Sequence, residues 1–248
     1  MSLERLQEHQ RLWARKPVLA QVYRPWFDAL LRFVPQNGRA LEVGAGPGLL
    51  AAHARAGRPD IRLVTTDILA TPWNDLVADA GRLPLRNGAV DVVLGLDFVH
   101  HLARPAAFFG EAARVLAPGG RLAVVEPWVT PLSFPIYRWL HHEKCRLRLD
   151  PWNPFGAGER EKDAFEGDAA VPWALVRRTS NEQWAALGLK PPSVRLLNGF
   201  AYLLSLGFKP GSLLPARLAP ALRSLDSALE PAAPLVAMRV LAVWARAN

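Results

Sequence analysis

Residues 41–48 read Leu41-Glu42-Val43-Gly44-Ala45-Gly46-Pro47-Gly48, between a β-rich run beginning at Arg39 and a helical run beginning at Leu49. A glycine-rich turn from strand to helix lets the backbone approach a ligand closely, and the first helical turn offers amides without intrahelical partners. The spacing bears on which ligand. A dinucleotide site uses G-x-G-x-x-G, whereas here the glycines stand at 44, 46 and 48 as G-x-G-x-G. Pro47 also removes an amide that a pyrophosphate would use.

Outward from this turn the chain alternates between strand and helix as far as Pro127. Ile61–Thr66, Val90–Leu96 and Arg121–Pro127 are short β-rich runs, and Arg104–Gly120 holds a helix before the last of them. A third strand is placed loosely at 76–79. Such alternation predicts an α/β three-layer sandwich, a mostly parallel sheet with helices on both faces. Residues 1–36 space their apolar groups as two or three N-terminal helices broken at Pro17 and Pro25. After Pro127 the alternation stops, and 128–178 reads as a long Trp- and Arg-rich insertion, a lid or substrate-binding segment. Ser180 and Gln183 fit a capping box, Ser193–Leu197 a strand, and 199–234 a second insertion. A last strand falls at about 236–245. The whole chain, 1–248, is expected to be one domain, with 39–127 as its ligand-binding core and 179–248 completing the sheet.

Glu42-Val43-Gly44-Ala45-Gly46-Pro47-Gly48 matches at every position the first motif of the class I S-adenosylmethionine-dependent methyltransferases, an acidic residue followed by x-G-x-G-x-G. Three later stretches resemble the same family in order: Asp67-Ile68 after the second strand, Asp79-Ala80 before Arg82-Leu83-Pro84-Leu85, and Arg114-Val115-Leu116-Ala117-Pro118-Gly119-Gly120 before the fifth. The resemblance implies a Rossmann-like sheet of seven strands in the order 3-2-1-4-5-7-6, the last antiparallel. It also implies S-adenosyl-L-methionine as methyl donor, with S-adenosyl-L-homocysteine as product. Gly44, Ala45, Gly46 and Gly48 would pass under its amino-acid part, and Glu42 would lie near its ammonium. Asp67 would accept from the ribose hydroxyls with Ile68 beside it, Asp79 and Ala80 would meet the adenine, and Leu96 and Asp97 would line the methionine end. Asp67 alone would equally suit a dehydrogenase.

Composition narrows the partners. The net charge is +8, but the surplus lies toward the two ends and forms no dense run of Lys and Arg, which disfavours nucleic acid. An anionic small molecule or peripheral contact with a membrane surface fits better. No long uncharged apolar run occurs and the first residues lack the apolar core of a secretory signal, so a cytoplasmic protein is expected. The lone Cys145 has no partner for a disulfide, no Cys or His stands at metal-finger spacing, and no metal ligand set is predicted.

Methyl transfer to a hydroxyl or ammonium gains from a base, and histidine is the first candidate. His100 and His101 follow the fourth strand at the sheet edge where ligands of open α/β folds lie, although packing or capping would equally explain them. His141 and His142, followed by Glu143, lie in the first insertion and could supply a base held by a carboxylate, or part of a metal site. Neighbouring histidines on a helix point to different faces, so a solvated helix face explains this pair as well. Arg138, Arg146 and Arg148 are candidates for an anionic acceptor. The apolar second insertion suits a small-molecule, lipid-linked or glycan-linked acceptor methylated on oxygen. A nucleic-acid methyltransferase and a non-catalytic cofactor-binding subunit are the alternatives.

Overall fold

The computed structural model describes residues 3–141, 143–156 and 163–247. The predicted runs become strands β1 (Arg39–Val43), β2 (Arg62–Asp67), β3 (Leu76–Val77), β4 (Val90–Leu96), β5 (Leu116–Pro127), β6 (Ser193–Leu197) and β7 (Arg239–Ala245). They form one sheet in the order β3-β2-β1-β4-β5-β7-β6, as the family resemblance implies. The pairs β1–β2, β1–β4, β2–β3 and β4–β5 are parallel, whereas β7 runs antiparallel to both β5 and β6.

Each central strand sends alternate side chains to opposite faces, and both faces are covered. On one face Leu41, Val93, Leu122 and Val124 meet Phe108, Phe109 and Ala112 of the helix Pro105–Val115. Val171, Leu175 and Trp184 of two later helices join them there. Phe109 lies 5.0 Å from the rings of both Trp184 and Trp244, so Phe109→Ala would open a cavity costing about 3–5 kcal/mol. On the other face Ala40, Val92, Leu94 and Val125 meet Val22, Phe27 and Leu30.

Those last residues belong to α2 (Pro17–Leu31), which follows α1 (Leu3–Arg15). Pro17 starts α2 at a position where its missing N–H costs nothing, as a helix boundary there predicts. Pro25 does not break the helix, contrary to the sequence reading. Val22, Tyr23, Trp26 and Phe27 on either side of it are buried, and their burial outweighs the one lost hydrogen bond.

The first insertion is more integrated than a detached lid. Its helix Val171–Arg178 is part of the core, and the buried Asp168 accepts from the Arg146 and Ala170 amides and from Arg146 Nε at 2.7 Å. Burial of Trp128 agrees with an ordered segment, but Trp139 is 72% exposed. In the second insertion, helices Phe200–Ser205 and Ala219–Ala228 pack on α2. The predicted capping box is present, Ser180 Oγ accepting from the Gln183 amide and Gln183 Oε1 from the Ser180 amide. Among the described residues no helix is long and apolar enough to cross a membrane. Cys145 is buried and forms no disulfide, and burial pushes its thiol up to about 12.

Candidate active site

The chain leaves β1 through three left-handed glycines, with φ of +66° at Gly44, +50° at Gly46 and +75° at Gly48. A Cβ at Gly44 would lie 2.7 Å from Phe98 Cβ, so both backbone angle and space demand glycine. The turn is held from three sides. Asp67 Oδ2 accepts from the Gly46 amide at 2.8 Å, Trp73 Nε1 donates to the Gly46 carbonyl at 2.8 Å, and Gln10 Nε2 donates to the Pro47 carbonyl at 2.8 Å.

A cleft of about 1440 Å³ opens over this turn. Its wall contains Glu42, Gly44, Ala45, Gly46, Asp67, Ile68, Asp79, Ala80, Leu96 and Asp97, together with His100, His101 and His141. Gly48 is not part of that wall. It caps the helix Leu49–Gly57 and packs on Trp73, so its left-handed angle shapes the turn from behind. His142 lies outside the described residues.

Two of the three aspartates in the wall are partly engaged. Asp67 Oδ1 accepts from the Leu69 amide at 2.9 Å, and Asp79 Oδ1 from the Gly81 amide at 2.8 Å. Each carboxylate oxygen keeps a further lone pair for a ligand. Glu42 differs. It is 3% exposed, its Oε2 has no hydrogen-bond partner, and burial pushes its carboxyl up to about 8, with Arg55 only partly opposing. A buried, unpartnered carboxylate oxygen at a ligand cleft is suited to a cation brought by the ligand.

Beyond the glycine turn the cleft meets two charged groups, each joining predicted residues to one that sequence reasoning missed: Arg239 in the first and Glu126 in the second. Asp97, left-handed at φ +53°, pairs with Arg239 Nη1 of β7. The guanidinium is buried and lies 4.9 Å from the Trp26 ring and 4.5 Å from the Tyr202 ring. Burial raises the Asp97 carboxyl, and Arg239 offsets part of that rise.

The second group is built on Glu126 at the end of β5, which is fully buried. Its Oε1 accepts from the Phe98 and Val99 amides at 2.9 and 2.8 Å, and its Oε2 lies 2.6 Å from His100 Nδ1. His100 Nε2 is 3.4 Å from Glu143 Oε2, and His101 Nε2 is 3.6 Å from Glu143 Oε1. His141 Nδ1 is 3.6 Å from Glu143 Oε2 and accepts from the Glu143 amide at 3.3 Å. The predicted pair His100–His101 and the insertion residue His141 therefore meet around one carboxylate. Burial lowers the His100 imidazole, but Glu143 and Glu126 outweigh it and carry it up to about 10. The same pairing holds Glu143 well below the carboxylate range against the pull of its own burial. Glu126 and Arg239 carried one signal in the sequence: each is a charged residue at the end of an otherwise apolar central strand, facing the sheet edge where ligands lie.

Residues 202–209 of the second insertion and α1 close the cleft from above. The buried Lys16 donates to the Gly207 and Lys209 carbonyls at 2.7 and 3.0 Å, and His9 stacks on Phe208 at 4.5 Å. Arg138, Arg146 and Arg148 do not line the cleft, and Arg146 is committed to Asp168 and the Pro154 carbonyl. Arg5 and Arg104 line it instead.

Fold and site together define an α/β enzyme that binds a nucleoside-like ligand at the carboxyl ends of its strands. A family model described as a methyltransferase domain matches residues 41–124. An uncharacterized methyltransferase of Mycobacterium bovis is 31% identical over 167 residues, 60% of this chain and 80% of that protein. The 27-O-demethylrifamycin SV methyltransferase of Amycolatopsis mediterranei is 30% identical over 128 residues, 42% of this chain and 47% of that protein. The crystal structure of Burkholderia thailandensis 1,6-didemethyltoxoflavin-N1-methyltransferase, with 1,6-didemethyltoxoflavin and S-adenosylhomocysteine bound, shares the fold. It aligns over 99% of this chain and 85% of that one, with a TM-score of 0.54 and 12% identity. The chain belongs to the class I S-adenosylmethionine-dependent methyltransferases, and S-adenosylmethionine is its cofactor.

Proposed function

We propose that the enzyme methylates an oxygen of a small, largely apolar acceptor, free or carried on a lipid or glycan. The observation that carries this reading is that one cleft joins the glycine turn to the His100–His101–Glu143 cluster and has an apolar rim. Leu140 and Leu213 line it while 72% and 69% exposed, which suits a hydrophobic acceptor. The relative named for 27-O-demethylrifamycin, a small molecule methylated on oxygen, points the same way.

S-adenosylmethionine supplies a methyl carbon activated by its sulfonium. The chain's task is alignment and exclusion of water, because transfer is an in-line displacement that needs little covalent help. In this reading Gly44, Ala45 and Gly46 run beneath the amino-acid part of the cofactor. Glu42 Oε2 receives its ammonium and Asp67 the ribose hydroxyls. Ile68, Asp79 and Ala80 border the adenine, while Leu96 and Asp97 border the methionine end. The unpartnered Oε2 of Glu42 supports the fit, since an ammonium satisfies an atom that is otherwise buried without a partner. The acceptor hydroxyl lies toward His101 and Glu143 and loses its proton there. Residues 128–178 and 199–234 shape the acceptor's end of the cleft within the single domain.

Tritiated methyl incorporation into fractionated metabolite, lipid and nucleic-acid extracts tests the proposal. Label in a small organic-soluble product, stable to conditions that cleave methyl esters of proteins, is expected. Label confined to nucleic acid or protein would overturn it.

A further inference from the structure

We infer that His100, His101 and Glu143 form a site for one divalent metal ion of the zinc type, open on the cleft side to the acceptor's oxygen. Their ligand atoms, one from each residue, all lie within 4.8 Å of one another. The separations of 3.4 Å between His100 and Glu143 and 3.6 Å between His101 and Glu143 are long for N–H···O bonds, which favour about 2.7–3.2 Å. Each imidazole faces its own oxygen of Glu143, His100 toward Oε2 and His101 toward Oε1, at spacings near the roughly 3.4 Å that separates neighbouring ligands of a zinc ion bound at about 2.1 Å.

A second observation concerns the imidazole's other side. Glu126 sits 2.6 Å from His100 Nδ1 and is itself pinned by the Phe98 and Val99 amides, so it fixes the ring with Nε2 facing Glu143. A carboxylate behind a ligating imidazole is the arrangement that fixes tautomer and ring orientation in protein metal centres. His141 stays outside the set because its Nδ1 lone pair accepts from the Glu143 amide. Two histidines and a glutamate with one position open is a catalytic rather than a structural ligand set.

The ion's role rests on the O-methylation reading: an acceptor hydroxyl in the open position would have its pKa lowered and would lose its proton more readily, with no change at the sulfonium end. The ligand set itself does not depend on that reading, so the two can fail separately.

The test uses the full chain, treated with chelator and desalted, then titrated with Zn²⁺ by calorimetry and with Co²⁺ by visible absorption. Saturation at one ion per chain is expected, with the intense Co²⁺ bands of a four- or five-coordinate site. Glu143→Gln and His101→Ala should each weaken Zn²⁺ at least tenfold, while S-adenosylhomocysteine still binds and reports that each variant is folded. Should the variants fold poorly, the wild-type chain decides: bound Zn²⁺ should protect His101 from carbethoxylation, read by mass spectrometry. Absence of saturable binding, an affinity unchanged in both variants, or no protection of His101 leaves an imidazolium–carboxylate cluster only, and the metal site is overturned. A wild-type chain that binds Zn²⁺ but not S-adenosylhomocysteine supports the metal site and counts against the cofactor assignment instead.

Discussion

The two halves of the cleft are held together in different ways. At the glycine turn the fixing contacts are mostly to backbone: Asp67 to the Gly46 amide, Trp73 to the Gly46 carbonyl, Gln10 to the Pro47 carbonyl. At the far end they are charge to charge, Glu126 to His100 and Arg239 to Asp97, between side chains that are buried except for the half-buried Asp97. Backbone contacts tolerate exchange of neighbouring side chains, so that half can stay constant while its surroundings change. A buried pair has no such freedom, since removing one partner strands the other in a medium that cannot solvate it.

The largest effect should come from breaking the second half. Arg239→Met leaves Asp97 beside an apolar wall and should lower unfolding free energy by about 3–5 kcal/mol, measured by denaturant titration. Adding Asp97→Asn, which tolerates the left-handed backbone at that position, should recover most of the loss. Full additivity of the two changes would count against the pair as the source of the cost.

The first half is sharpened by Glu42→Gln, which should weaken S-adenosylhomocysteine about 10–100-fold, the range of one charge-assisted hydrogen bond. The pH dependence has a definite sign. With the free carboxyl pushed up to about 8, the proton competes with the ligand's ammonium, so affinity should fall as pH drops below about 8. Binding at pH 7 should release a proton, seen by calorimetry in buffers of different ionisation enthalpy, and the glutamine variant should release none from this site. A native enzyme whose affinity does not change between pH 6 and pH 9 would falsify the ammonium assignment.

The smallest effect probes the difference directly. Trp73→Phe removes one bond to a backbone carbonyl, worth about 0.5–1.5 kcal/mol, and should raise the cofactor KM a few-fold. The acceptor KM should not move. If both constants rise together, the halves are not separable and the comparison fails.

The same contrast explains what was legible in the sequence. The glycine turn is a contiguous motif whose angles and spacing are local properties, and four of its five predicted cofactor residues line the cleft, as do the six predicted beyond it. Gly48 is the exception because a positive-φ residue can shape a turn without facing its ligand. The sheet order followed from the family resemblance, and Pro25 was misread because tertiary burial overrode a local breaker. His100 and His101 were visible as a pair. Their partners were not, since Glu126 and Glu143 arrive from separate segments and Arg239 meets Asp97 across 142 positions of sequence. No periodicity encodes such a meeting, and only the crossing of strands produces it.

Strand β7 lies between β5 and β6 in the sheet, and it is also the strand that carries Arg239. During synthesis the glycine turn can therefore form early, but the sheet's far edge, and the countercharge for Asp97, must await Arg239–Ala245. A chain broken off before Arg239 would lose the β5–β7–β6 seam, leaving a nucleoside-binding turn made in full beside a cleft that never closes.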